Sequence, residues 1–478
     1  MRLSGQIFCV IIMTVWTVLS CSRELSQPEP EPVPEPVPTP EEEDKYGTAY
    51  VFDIDALPEV HIKVKKDQWN KLLELYDGNN KTKQYVHCDA TFIKGREVTE
   101  IEDAGLRLRG NTSRRRPEGS YGEKHKPSGT KWHHCHFGLN FRKFVKDDLH
   151  EVHGCRKANL KWFKDDPLYA REIYCYDLFR RFGIWTAVYN SYCRLWLRIS
   201  GDQNEVYYGV YQLQESIDTR YLKQRKDKFG DDGGNLWKCR GGAGLNSVYA
   251  DFGVDLGGDE EYTYELKSDD NDFEQAKEQL KAFIVALNDK KGEEFRSWIT
   301  SVCDVELLLR TYAVNVAVGM WDDYWNNANN YYIYFNTTDK EKYSFFFIPY
   351  DYDNTLGTSH NVGVQTDSGR QNPFSWGNDN NPLIAKILQF EDFRAIYRDA
   401  LLELADQGNA YLSHAASAGR IRAWEKMVEM YVANDVGEDM SIQDSPAYWG
   451  NHPEYRCLDS GSNNFFEIKS QTIKSCCK

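Results

Sequence analysis

The chain has no excess of positive charge, no second long apolar run, no paired CxxC knuckles and no internal repeat. Lys and Arg number 58 against 73 Asp and Glu, a formal net charge of −15. That balance excludes a nonspecific nucleic-acid binder, because a phosphate backbone demands a cationic surface. Beyond the first residues no stretch is long and apolar enough to span a bilayer. Twelve cysteines are present, two of them (Cys9 and Cys21) near the start. The others are widely spaced, so a zinc site lacks its ligand pattern, although export would allow some to oxidise. Without a repeat, the 478 residues, 41% of them hydrophobic, suffice for the core of one large or two small domains.

What is present begins with a targeting segment. Arg2 supplies the positive start, and residues 7–19 form an apolar run too short to cross a membrane comfortably. Val18-Leu19-Ser20-Cys21 resembles a bacterial lipoprotein lipobox, with Cys21 as the acylated residue. Residues 27–40 (QPEPEPVPEPVPTP) are extended and stiff, and residues 41–44 are acidic. The expected organisation is a lipoprotein signal at 1–21, a tether at 22–46 and a folded region at 47–478.

The folded region is organised around residues 304–357. Residues 304–319 (DVELLLRTYAVNVAVG) are apolar nearly all round and long enough for a buried helix. The polar, aromatic stretch 321–330 (WDDYWNNANN) follows. Residues 331–335 (YYIYF) and 343–348 (YSFFFI) are strong β-formers joined by a turn, and so read as a hairpin. The second strand delivers PYDYDNTLG (349–357). A hairpin that leaves one polar loop and returns beside it can bring Asp322, Asn327 and Asp351 together. Converging carboxylates and amides suit a hard cation with oxygen ligands and the phosphates it holds.

Taken in order, residues 49–54, 59–64, 84–93, 105–109, 136–141, 192–199 and 206–214 read as strands, with a polar helix after Asp67 and another after Pro167. The turn at 110–113 and the run Arg114-Arg115-Arg116 offer backbone N–H groups and cations to phosphate, or serve only as a solvated basic loop. His133, His134 and His136 lie close enough for a metal site but lack a further ligand. Residues 273–288, 292–301, 382–389, 393–407 and 415–432 read as helices, and 358–380 as a long Gly/Asn-rich loop. Strands followed by helices predict an α+β chain of two lobes, a strand-rich one at about 47–216 and a helical one at about 217–478.

Several motifs resemble the spore-coat CotH kinase family, exported proteins with an atypical two-lobed protein-kinase-like fold. They are GLRLRGNTS (105–113), YDLFRRFG (176–183), YYGVYQLQESID (207–218), NLWK (235–238), the stretch 321–334, FIPYDYDNTLG (347–357) and NPLIAKILQFEDFRAIY (381–397). The resemblance implies transfer of the ATP γ-phosphate to protein substrates, with Mg²⁺ or Mn²⁺. It assigns Asp322 as the catalytic-loop aspartate, Asp351 and Asn327 as metal ligands with Asp353 as a second candidate, and Glu215, Lys238 and Arg109 as nucleotide contacts. The family's lysine-rich strand corresponds here to HHCHFGLNF (133–141), which lacks most of those lysines, so Lys131 or Arg142 is expected to substitute.

Two other readings bear on the same residues. The strand followed by Asp351-x-Asp353-x-Thr355 looks like the first motif of haloacid-dehalogenase phosphatases, which would make Asp351 a nucleophile. An inactive surface adhesin would instead use the Asp/Asn loop for calcium and an exposed Trp376 for stacking on sugars. The compartment expected is the bacterial cell envelope, with membrane attachment through lipid on Cys21.

Overall fold

Alternation of apolar and polar residues dictates the first half of the fold. A computed structural model describes residues 47–478 apart from 128–130, 148, 255–258, 269, 359, 362–364, 434–439, 446 and 448–453. The lipobox and tether therefore lie outside the described residues. Strands β1 (Glu59–Val64), β2 (Val86–Lys94), β3 (Glu97–Arg109), β4 (His136–Asn140), β5 (Lys157–Lys161), β6 (Asn190–Ile199) and β7 (Val206–Glu215) close into a barrel of order β1-β2-β3-β4-β5-β7-β6. A parallel β1–β6 pairing makes the seam, and the other neighbours run antiparallel. Closure leaves no unpaired edge in this sheet. Val60, Ile62, Leu106, Leu108, Leu160 and Leu213 are among the residues that fill its interior.

The expected strand at 49–54 is instead the single-turn helix α1 (Thr48–Val51), whose Val51 packs with Phe52 into the barrel core. Helix α2 (Lys66–Gly78) lays Trp69, Leu72 and Leu73 on the same core. Helix α3 (Arg171–Arg181) is almost wholly buried and belongs to a second, larger core.

That core surrounds a sheet the sequence reading saw only in part. Helices α4 (Thr219–Gln224) and α5 (Lys226–Phe229) lead into β8 (Asn235–Cys239), β9 (Phe252–Val254) and β10 (Tyr264–Leu266). These join the expected hairpin, β11 (Tyr331–Phe335) and β12 (Phe345–Pro349), in the order β12-β11-β8-β10-β9. Helices α6 (Phe273–Asp289), α7 (Gly292–Val302), α8 (Val305–Ala317), α9 (Tyr324–Asn327), α10 (Pro382–Ile387), α11 (Glu391–Ala405), α12 (His414–Val432) and α13 (Phe465–Cys476) complete the chain. The class is α+β, as expected, but the helix-rich half carries its own five-stranded sheet. The ten described cysteines are free thiols, and among the described residues no helix is long and apolar enough to cross a membrane.

Candidate active site

Helix α8 is capped by Asp304, whose Oδ1 accepts from the Leu307 N–H at 3.0 Å. Its buried run ends where the chain turns out into 321–330. There Asp323 caps α9, accepting from the Asn326 N–H at 2.8 Å, and Ala328 ends that turn in the left-handed region (φ 50°). Asp322 is caged by amides. Its Oδ1 accepts from Asn327 Nδ2 at 2.5 Å and Asn329 Nδ2 at 3.2 Å, and its Oδ2 from Asn330 Nδ2 at 2.9 Å. Burial raises its carboxyl above the usual range, and these hydrogen bonds oppose the rise.

Strand β12 delivers Asp351, itself in the left-handed region (φ 63°). Its N–H donates to Tyr176 Oη of α3 at 3.0 Å, and its Oδ1 accepts from Lys161 Nζ at 2.7 Å. Lys161 also donates to Glu172 Oε2 at 2.5 Å, and Gln214 Nε2 donates to Glu172 Oε1 at 3.0 Å. Burial opposes the charge on both partners of the Lys161–Asp351 pair. Even so, Asp351 and Glu172 keep the ammonium charged, and Lys161 holds the Asp351 carboxyl below its ordinary value. The pairing of a strand lysine with a helix glutamate, beside a loop aspartate, is compatible with phosphoryl-transfer sites, where such a lysine meets phosphates and such an aspartate a metal.

Lys161 and Glu172 were not singled out from the sequence. Lysines instead line the cleft from the neighbouring strand β5, whose KANLK alternates Lys157, Asn159 and Lys161 outward with Ala158 and Leu160 inward. Lys131 is exposed, and neither it nor Arg142 lines the cleft.

These groups face one cleft of about 1410 Å³. Arg109 lines it and donates to Tyr350 Oη at 2.9 Å. Lys238 lines it too, with its ammonium 5.0 Å from the Tyr350 ring centroid, and burial followed by nearby Arg240 depresses its pKa well below the lysine range. Asp353 opens onto the same space. The desolvating walls, and then the charge on Asp351, push its carboxyl well up. A buried carboxyl raised beside a second carboxylate, as Asp353 is beside Asp351, gains from a bound cation that stabilises its anion. Among the described residues no group of three or more His, Cys, Asp or Glu forms a metal cage. A hard divalent cation needs none, since one or two carboxylates with water and phosphate oxygens suffice. Asp351 and Asp353 fit such a cation, with Asn327 Oδ1 as a further oxygen.

The expectation for Glu215 is corrected, and three alternative readings of the sequence lose their footing. Glu215 does not line the cleft: its oxygens accept from Arg225 Nη1 and Nη2, both at 2.8 Å, and Oε2 also from the Tyr189 N–H. The histidines do not converge on a metal, for His134 Nε2 meets the Tyr208 carbonyl and His136 Nδ1 the Trp162 N–H. Trp376 is only 1% exposed and donates to the Met320 carbonyl at 3.1 Å, so it offers no ring to a sugar. The Asp-x-Asp-x-Thr follows an antiparallel edge strand, not the parallel strand that opens a doubly wound phosphatase domain.

A family model described as CotH kinase protein matches residues 106–457, which include every residue of the cleft discussed above. No curated protein matches the chain.

Proposed function

Because the chain belongs to the CotH kinase family, we propose that it transfers the γ-phosphoryl group of ATP to a hydroxyl of a protein substrate in the bacterial cell envelope. In this reading the domain is two-lobed and kinase-like, tethered through residues 22–46 to a lipid on Cys21. One observation carries it: Lys161, held between Glu172 and Asp351 at 2.5 and 2.7 Å, shares a cleft with Asp322.

Each residue has a task that follows from its surroundings. Lys161 and Arg109 neutralise phosphate oxygens, and Lys238, held toward its neutral amine, adds a hydrogen-bond donor from the opposite sheet. Asp351 and Asp353 hold Mg²⁺ or Mn²⁺, which when bound neutralises charge developing on the phosphates. Asp322 orients the acceptor hydroxyl and takes its proton, its amide cage fixing the carboxylate's direction. Positioning and charge neutralisation are what phosphoryl transfer needs from a protein.

The test is incubation of the purified protein with radiolabelled ATP and Mg²⁺ or Mn²⁺, beside Asp322→Asn and Asp351→Asn. Label on the protein or an added substrate, lost in both variants, supports the reading. No label together with no metal-dependent ATP binding overturns it and leaves an inactive surface-binding lipoprotein.

A further inference from the structure

The outer face of the barrel, rather than its interior, paves the cleft. Leu108, Phe137, Leu160 and Leu213 point into the barrel core, so their neighbours along each strand point out. Register then aligns those neighbours. Arg109 pairs with His136, and Lys161 pairs with Gln212. One step beyond the Phe137–Leu160 pair sets His136 beside Lys161. Arg109, His136, Lys161 and Gln212 thus form one row across four strands, each about 4.8 Å from the next, and all four line the cleft.

His136 is the member of this row whose protonation the structure fixes. Its Nδ1 lies 2.9 Å from the backbone nitrogen of Trp162. A backbone amide can only donate, so Nδ1 is the acceptor and carries no hydrogen. The hydrogen of the neutral ring is therefore on Nε2. Among the described residues no hydrogen bond is made by Nε2, though the ring lines the cleft. The absence of a side chain at Gly110 (φ 105°) leaves room for the ring, since a Cβ there would come within 3.2 Å of its Cδ2. Burial, then the charges of Lys161 and Arg109, keep the imidazole from protonating.

We infer that His136 is a phosphate-binding residue, a neutral imidazole whose Nε2–H donates to a phosphate oxygen of the nucleotide between Arg109 and Lys161. The inference rests on the kinase reading for the identity of that phosphate. It also says how the chain dispenses with a lysine on this strand. A neutral donor adds a hydrogen bond to the row without a third cation packed between two others.

Equilibrium binding of ATP, inorganic tripolyphosphate and adenosine, each with Mg²⁺, to wild type, His136→Asn and His136→Gln tests it. Asn keeps an oxygen near the Nδ1 position for the Trp162 N–H but no longer reaches the cleft. Gln supplies both an acceptor and a longer donor. The expected result is about tenfold weaker ATP and tripolyphosphate binding for His136→Asn, the scale of one hydrogen bond to a charged acceptor. Adenosine binding and ligand-free melting temperature should be unchanged, and Gln should recover most of the loss. Equal affinities in wild type and His136→Asn, or an equal loss for adenosine, overturn the inference and leave the kinase reading intact. Tripolyphosphate binding that depends on His136 without any ATP binding sustains the inference while the kinase reading fails. Binding of neither by wild type overturns both. Should His136→Asn not fold, nitrogen NMR of histidine-labelled wild type decides: an Nε2–H tautomer whose resonance moves on adding tripolyphosphate is required.

Discussion

The two walls of the cleft hold their polar groups by different means. On the barrel wall, Arg109, His136 and Lys161 stand on neighbouring strands in register, so the ladder itself sets their spacing. On the facing wall, Asp322 and Asp351 stand on loops. Their directions depend on side-chain amides, on a tyrosine hydroxyl and on the left-handed backbone of Asp351 and Asn330 (φ 63° and 57°). Non-glycine residues in that region are strained and persist where surrounding structure over-determines them. The cationic wall is rigid by construction, whereas the acidic wall is rigid only through its hydrogen bonds. Removing a group from each wall should therefore separate chemistry from architecture.

The largest effects should come where the walls touch. Asp351→Asn should reduce phosphoryl transfer by roughly 10³-fold or more, the scale of removing a preorganised charge from a transfer site. Its stability cost should be small, since Lys161 keeps Glu172. Lys161→Met should lose as much activity and in addition several degrees of melting temperature, because it leaves Glu172, with a side-chain exposure of 1%, without its counter-ion and with only the Gln214 amide as partner. Turnover with labelled ATP beside thermal melting separates the two variants. Equal melting temperatures would argue against the buried pair as a structural element.

Next comes Asp322. Asp322→Asn should cost about 10²- to 10⁴-fold in kcat, the range for a positioned general base, with little change in ATP affinity. Its raised carboxyl also sets a sign. The folded pKa lies above the ordinary 3.8, so the base is already being protonated at pH values where an exposed aspartate stays charged. The acid limb of the kcat profile should accordingly sit above that value; a limb at or below it would mean that the amide cage outweighs burial.

A contrasting pair sharpens the comparison. Glu215 and Arg225 are as close as Lys161 and Asp351, but they are closed off from the cleft. Glu215→Gln should leave kcat per folded molecule within about twofold while lowering stability, since Arg225 loses a bidentate partner in a buried setting. Loss of kcat without loss of stability would return Glu215 to the nucleotide site.

How much of this was legible in the sequence follows the same division. The hairpin β11–β12, helix α8 and the two aspartate loops were readable because long apolar runs and β-formers announce themselves locally. Lys161 was not, although KANLK alternates with the right period. Five residues with only Ala158 and Leu160 facing in give a signal too short to distinguish from loop. The strands β9 and β10, three residues each, owe their existence to neighbours. Residues 49–54 carry β-formers, yet the segment's place on the barrel core is met by one helical turn. Trp376 was placed on the surface because its loop is Gly/Asn-rich, and Glu215 at the nucleotide because the resemblance put it where the lobes join; their partners, Met320 and Arg225, are set by the fold. Register across strands is the information a single sequence withholds, and the cationic wall is made of it.

The smallest effect concerns a carboxylate at the cleft's edge and runs opposite in sign to Asp322. Glu265 of β10 lies within 3.0–3.1 Å of Lys83, Arg240 and Lys267. Burial alone would push its carboxyl up, but Lys267, Arg240 and Lys83 outweigh it and hold the group at about 2, against an ordinary 4.5. A folded pKa below the unfolded one means stability that is present above about pH 4.5 and is lost as pH falls toward 2. Glu265→Gln should therefore melt lower than wild type at pH 6, and the gap should close as the buffer is taken through pH 4 toward 3. Arg240 retains Glu261 and Lys83 retains the Glu260 carbonyl in that variant, so the fold should survive. A gap that stays constant over this window would show that Glu265 contributes through packing and shape rather than charge, and that the three cations around it are held apart by other means.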